Sequence, residues 1–172
     1  VLCCRFNNPI GNLIATGSAD KTAIMWKVED GQKLYQLTGH TQDVVAVQFD
    51  HESHTLATAS LDSTARLYNV ETGQFHVALT GHTNSITHVE FSADDDVLLT
   101  SSFDGTAKLW DIRTGNEISV LEGHKDEISI AHFDRLCEQA LTASMDGTAR
   151  LWDFRMGNSM CELKGHKGAV LD

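Results

Sequence analysis

Serine, histidine and aspartate recur together in this chain, and those side chains could supply a nucleophile, a general base and its orienting acid. The serines and aspartates come as Ser18/Asp20, Ser60/Asp62, Ser102/Asp104 and Ser144/Asp146. A Gly-His pair precedes three of these sets, at Gly39-His40, Gly81-His82 and Gly123-His124, and returns at Gly165-His166. An aromatic residue follows each set, at Trp26, Tyr68, Trp110 and Trp152. Every series advances by 42 residues. Nucleophilic catalysis needs one exposed, activated serine rather than the same trio buried several times over. No Gly-x-Ser-x-Gly elbow and no phosphate-cradling glycine loop accompanies it. The glycines stand where turns require them, as in Asp104-Gly105 and Asp146-Gly147. The period outranks the chemistry, because a fixed repeat of this length marks a stack of identical supersecondary units.

Two other clusters invite a metal. His51-Glu52-Ser53-His54 brings two imidazoles close together, but in a polar turn, off any helix and with no third ligand in view. Asp94-Asp95-Asp96 occupies the equivalent turn one repeat later and lacks the alternating oxygen ligands and partner carboxylate of a calcium loop. Both read as solvated turns. No catalytic residue, metal or cofactor is expected.

The elements that hold these residues can be placed from patterning. In residues 39–80, Val44–Phe49 is apolar and β-prone, and the polar run Asp50–His54 turns the chain. Thr55–Ser60 makes a second strand, Leu61-Asp62-Ser63 a tight reversal, Thr64–Val70 a third strand and Gln74–Leu79 a fourth. Nothing of helical period and length appears. Four short antiparallel strands per repeat describe a propeller blade, packed on both faces, which explains why strict polar/apolar alternation is missing. Thr22-Ala23, Thr64-Ala65, Thr106-Ala107 and Thr148-Ala149 put small residues where neighbouring sheets crowd. The fold expected is an all-β propeller with blades at 1–38, 39–80, 81–122 and 123–164, and the start of a fifth at 165–172. Val1 and Asp172 both interrupt the repeat in mid-phrase, so the chain is expected to be a segment of a larger ring.

Composition narrows the partners. The 172 residues carry 24 acidic and 13 basic side chains, a formal net charge of −11. That balance disfavours nucleic acid, whose phosphates must be neutralised by Lys and Arg, and anionic membrane surfaces. No apolar run approaches the roughly 20 residues of a membrane span. Cys3, Cys4, Cys137 and Cys161 show no paired-ligand spacing and read as reduced thiols of a cytoplasmic protein.

The recurring Gly-His…Ser-x-Asp…Trp-Asp resembles the WD-repeat family of propellers along essentially the whole chain. The resemblance implies rings, most often of seven blades, in which a blade's outermost strand comes from the preceding sequence repeat. It also implies that the polar residues form a hydrogen-bonded chain within each blade. The sets would be His40–Ser60–Asp62–Tyr68, His82–Ser102–Asp104–Trp110 and His124–Ser144–Asp146–Trp152, with Ser18, Asp20 and Trp26 in the first blade. Tyr68, lacking an indole N–H, would leave its blade with the weaker network.

The repeats disagree just before each motif aspartate, where Ala19, Leu61, Phe103 and Met145 stand in a turn. Either these side chains tuck under their own loops or they form an apolar patch, and such patches mark interfaces. The family resemblance adds positions three and five after the histidine: Asp43 and Val45, Ser85 and Thr87, Glu127 and Ser129. Together they suit a protein partner with hydrophobic anchors and some Lys/Arg. Phe6-Asn7-Asn8-Pro9-Ile10-Gly11 and Ile14–Thr22 look like a blade of the outer-row dynein assembly proteins of cilia. That similarity implies an adaptor for axonemal dynein and intraflagellar transport-train subunits, in the cytoplasm and the cilium. The alternative is a substrate-recognition or scaffold subunit of a ubiquitin ligase or signalling assembly.

Overall fold

The computed structural model describes residues 1–153 and 156–171. Among them there is no helix, and sixteen strands form four separate four-stranded antiparallel sheets. The first sheet holds β1 (Cys3–Phe6), β2 (Leu13–Gly17), β3 (Ala23–Lys27) and β4 (Lys33–Leu37). The second holds β5 (Val44–Phe49), β6 (Thr55–Ser60), β7 (Thr64–Asn69) and β8 (Phe75–Thr80). The third holds β9 (Ile86–Phe91), β10 (Val97–Ser102), β11 (Thr106–Asp111) and β12 (Glu117–Glu122). The fourth holds β13 (Ile128–Phe133), β14 (Gln139–Ser144), β15 (Thr148–Asp153) and β16 (Asn158–Lys164). Each sheet is a meander in chain order. The third strand of the second sheet ends at Asn69, not Val70, and the fourth runs one residue later than patterning placed it.

The innermost strands β1, β5, β9 and β13 neighbour one another in sequence order, so the sheets stand side by side around a common axis. The core lies between sheets rather than within any one of them. Ala57, Leu67 and Leu79 of the second sheet meet Ile86, Val89 and Phe91 of the third. Met25 and Leu37 meet Val47 and Phe49 across the first seam, and Leu109 and Leu121 meet Ile128 and Ala131 across the third. A strand buried on both faces has no polar side to show, which is why β6 and β10 read as nearly continuous burial. Alanines at 57, 59, 65 and 107 let the backbones come close. The outward sides of the end sheets carry Leu2 and Phe6, and Leu141, Met160 and Leu163, all exposed.

Three inner strands are bulged at one position, where pairing jumps from Val44 to Ala46, from Ile86 to His88 and from Ile128 to Ile130. Val45, Thr87 and Ser129 are the residues left over. A bulge re-aims its extra side chain, and here all three sit at the same end of their strands.

Candidate interaction face

In every blade from the second onward, an imidazole ties the loop before the sheet to the turn between the second and third strands. His40, His82 and His124 place Nδ1 at 2.9, 2.8 and 3.0 Å from the carboxylates of Asp62, Asp104 and Asp146. Each carboxylate also accepts the amide of the residue after the histidine, together with the amide and hydroxyl of Thr64, Thr106 or Thr148. Burial raises the carboxyl pKa of Asp104 and Asp146, but these donors outweigh it and hold both well below the usual range. Asp62 is lowered by the same balance. Burial pushes the His40 imidazole down despite Asp62, which fits a neutral ring carrying its proton on Nδ1.

The other imidazole nitrogen corrects the sequence reading. Nε2 meets Thr58, Thr100 and Thr142, at 2.8, 2.8 and 2.7 Å, and not the serines. Trp110 and Trp152 donate their indole N–H to the same threonine oxygens, each at 2.8 Å, and Trp26 donates to Thr16 at 2.9 Å. Ser60, Ser102 and Ser144 instead accept the amide of the motif aspartate and donate to the carbonyls of Gln42, Asn84 and Asp126. Ser18 likewise accepts the amide of Asp20, whose carboxylate takes the amide and hydroxyl of Thr22. The reason is strand geometry. Thr58 and Ser60 lie on one face of β6, and the residue two earlier stands at the depth of the ring. Threonine at 16, 58, 100 and 142 recurs with the same period of 42, so the signal was present. Tyr68 reaches elsewhere: its hydroxyl donates to the carbonyl of Thr38 at 3.0 Å, leaving Thr58 without an indole partner.

The network fixes the segments that carry the variable residues. The amides of Leu61, Phe103 and Met145 donate to the carbonyls of Asp43, Ser85 and Glu127, at 3.0, 2.9 and 2.9 Å. Turn residue and loop residue therefore sit side by side in each blade. Leu61, Phe103 and Met145 are half-buried, neither free in solvent nor lost in the core, while Ala19 is exposed. A groove of about 290 Å³ runs between the Phe103 turn and the loop of the next blade, lined by Phe103, Asp104, Lys125, Asp126 and Glu127. Gly105, at φ +80°, forms its floor, and a Cβ there would lie 3.3 Å from the Asp126 carbonyl. The bulge residues behave differently. Thr87 contacts the carbonyls of Ser101 and Ile128, and Ser129 those of Ala143 and Val170, so both hydroxyls link one blade to the next. Val45 has no such group and is half-buried.

The opposite ends of the sheets carry a second repeated device that the sequence reading missed. Ser53, Asp95 and Cys137 each adopt a positive φ, of 58°, 57° and 50°, in the loop between first and second strands. Each side chain reaches back to the preceding blade. Asp95 accepts the amides of His51 and Glu52 and pairs with the His51 ring at 2.8 Å. Cys137 Sγ accepts the amide of Ala93, and Ser53 donates to the Asn8 carbonyl. The two polar turns read separately in the sequence thus meet as one contact, with His54 exposed beside it. Cys4 and Cys161 are exposed, Cys3 and Cys137 half-buried, and all four are free thiols. Among the described residues no group of three or more His, Cys, Asp or Glu is placed to hold a metal. No helix is long and apolar enough to cross a membrane.

Four meander sheets side by side, three of them tied by the same His–Asp and His–Thr bonds, define a repeat protein of the propeller class. The chain belongs to the WD domain, G-beta repeat family, which it matches over residues 1–27, 31–69, 73–111 and 115–153. Each later unit opens beside the outermost strand of one sheet and closes with the third strand of the next. A sheet's outermost strand therefore arrives with the following unit, which reverses the order expected from the resemblance. Among curated relatives, the chain is 42% identical over 53 residues to guanine nucleotide-binding protein G(I)/G(S)/G(T) subunit beta-1 of Homarus americanus. It is 39% identical over 56 residues to protein tipD of Dictyostelium discoideum and 43% identical over 42 residues to cell division control protein 4 of Saccharomyces cerevisiae. These stretches cover 31%, 33% and 24% of this chain, and 15%, 9% and 5% of those proteins' own lengths.

Proposed function

We propose that the chain is a non-enzymatic protein-interaction scaffold and that it meets its partner on the face built by the turns at Leu61, Phe103 and Met145 and the loops at Asp43, Ser85 and Glu127. The observation that carries this reading is their pairing. Residues that differ from repeat to repeat lie together in each blade, while those that repeat are occupied in internal hydrogen bonds. Half-buried apolar side chains beside Asp43, Asp126 and Glu127 suit a partner with a hydrophobic anchor and neighbouring Lys or Arg. Val45 belongs to the same end of the molecule as a contact. Thr87 and Ser129 contribute shape there, since their hydroxyls are already engaged.

The finer reading is an adaptor for outer-arm dynein and its transport into cilia, and it rests on the Phe6–Thr22 segment. A recognition or scaffold subunit of another assembly is the alternative, favoured by the stretch shared with cell division control protein 4. Co-purification from native cells, with wild type and a Leu61/Phe103/Met145 triple-alanine variant in parallel, tests both levels. Partners lost from the variant at unchanged melting temperature support the face. Axonemal dynein chains or transport subunits among them support the adaptor, and ligase or signalling subunits support the alternative. Partners retained in full by the variant contradict the proposed face.

A further inference from the structure

The third strands of three sheets carry a cation at one equivalent position: Arg66, Lys108 and Arg150, with Ile24 in the first sheet. Two of these cations have a carboxylate on the fourth strand. Lys108 pairs with Glu117, which stands opposite Trp110. Arg150 pairs with Glu162, directly across the ladder, at 3.1 Å. The second sheet has an acid at neither position. Ala78 lies across from Arg66, and Phe75 across from Tyr68. Arg66 makes no ion pair among the described residues; its Nε is buried with no hydrogen-bond partner, as is that of Arg150, so the missing carboxylate is what sets it apart. The Arg66 charge is felt by His40 and by the Tyr68 hydroxyl, while the Asp62 carboxylate is engaged by His40, Thr41 and Thr64.

What surrounds Arg66 is equally unlike the other blades. Its guanidinium lies over the Phe75 ring, 5.4 Å from the centroid, and Phe75 meets Tyr68 edge-on at 6.0 Å. Phe75 is 51% exposed, a large aromatic on the rim where the neighbouring blades have Glu117, Lys33 and Ser159. Beside it opens a cavity of about 390 Å³ lined by Tyr68, Asn69, Thr72, Phe75 and His76. A cation lacking its anion thus adjoins an aromatic cavity, on a chain with an 11-charge acidic excess.

We propose that the rim of the second blade binds an acidic, apolar-anchored segment of a partner protein. A carboxylate from that segment pairs with Arg66, in the role that Glu117 and Glu162 play within their own blades, and an adjacent apolar side chain enters the cavity along Tyr68 and Phe75. A guanidinium favours this ligand because its planar fork matches a carboxylate and it keeps its charge when partly desolvated. The site lies on the rim, away from the turns at Leu61 and Phe103, so it stands or falls apart from the interaction face.

The test is an NMR titration of the full chain with acetyl-Glu-Phe-amide, following the Arg66 Nε–Hε resonance and the amides of Thr72–His76. The expected result is a saturable shift of both, weakened about ten-fold or more when the probe is acetyl-Gln-Phe-amide. Arg66→Met should remove the response. Phe75→Glu should also remove it by supplying the carboxylate internally, with the melting temperature retained or raised. Arg150, whose Nη2 already pairs with Glu162 at 3.1 Å, is the internal reference. Equal responses to the Glu and Gln probes, or a response that survives Arg66→Met, overturn the proposal. So does inorganic phosphate moving Arg66 as far as the peptide does while the Thr72–His76 amides stay still, which marks a plain anion site.

Discussion

Thr100 joins two rings that also meet edge-on, with centroids 6.2 Å apart. Its hydroxyl meets His82 Nε2, on the ring whose Nδ1 faces Asp104, and its oxygen accepts from the Trp110 indole. Thr100→Val removes both functions and strands an indole N–H and an imidazole nitrogen in the core. That substitution is expected to cost about 2 kcal/mol, read by chemical denaturation, and to move the Trp110 indole resonance. Ser102→Ala should destabilise through the Asn84 and Asp104 bonds yet leave that resonance in place. Tyr68 offers the reciprocal case. Its hydroxyl turns to Thr38, and the Arg66 guanidinium lies against Gly39, where Trp110 and Trp152 lie against Gly81 and Gly123 in their own blades. Tyr68→Trp is expected to raise the melting temperature by completing the bond to Thr58, and an unchanged or lower value would contradict this. The identities of His, Asp and Trp were legible from the period. The serine was misassigned because Ser-x-Asp is the more conspicuous phrase, whereas the threonine two residues earlier is hidden in an apolar strand.

At the scale of elements, strands and turns were readable because turn residues and β-prone runs alternate so regularly. Contacts between loops were not. Asp94-Asp95-Asp96 and His51-Glu52-Ser53-His54 are 40 residues apart in sequence, and only the lateral packing of β5 against β9 brings them together. A left-handed residue in each loop aims a side chain at the preceding blade, a conformation that sequence patterning flags only when glycine occupies it. Asp95→Ala is expected to loosen the seam between the second and third sheets. Hydrogen exchange at the amides of His51 and Glu52 should accelerate, while β7 and β11 keep their protection. Protection unchanged at both amides would mean that the Asp95 carboxylate contributes nothing there. Also invisible beforehand was the extra residue in the first blade, whose Phe6–Ile14 reversal is one residue longer than Phe49–Leu56.

Across the whole molecule the same polar groups set the response to acid. A buried neutral His40 resists protonation, while the unfolded chain takes up a proton as pH falls through about 6.5. Its contribution is therefore complete above that pH and lost below it. His88 acts in the same direction, since burial and the neighbouring His132 push it down to about 4. The depressed Asp62, Asp104 and Asp146 contribute above about pH 4 and lose their effect as pH falls through their folded values. Asp50, raised mainly by burial, opposes this only weakly, as one group against five. The melting temperature should hold from neutral to mildly alkaline pH, begin to fall below about 6.5 and fall more steeply below about 4. A flat profile between pH 7 and 4 would contradict the assignment of neutral, buried rings.

The central claim is a division of labour: the repeated Ser, Thr, His, Asp and Trp hold the blades, and the residues that vary at the turns meet the partner. Hydrogen exchange of the full chain, with and without the partner recovered by co-purification, tests it most directly. The account predicts new protection at residues 41–43, 61–63, 83–85, 103–105 and 125–127. Protection confined to 51–54, 93–96 and 135–138, at the opposite ends of the sheets, would contradict it.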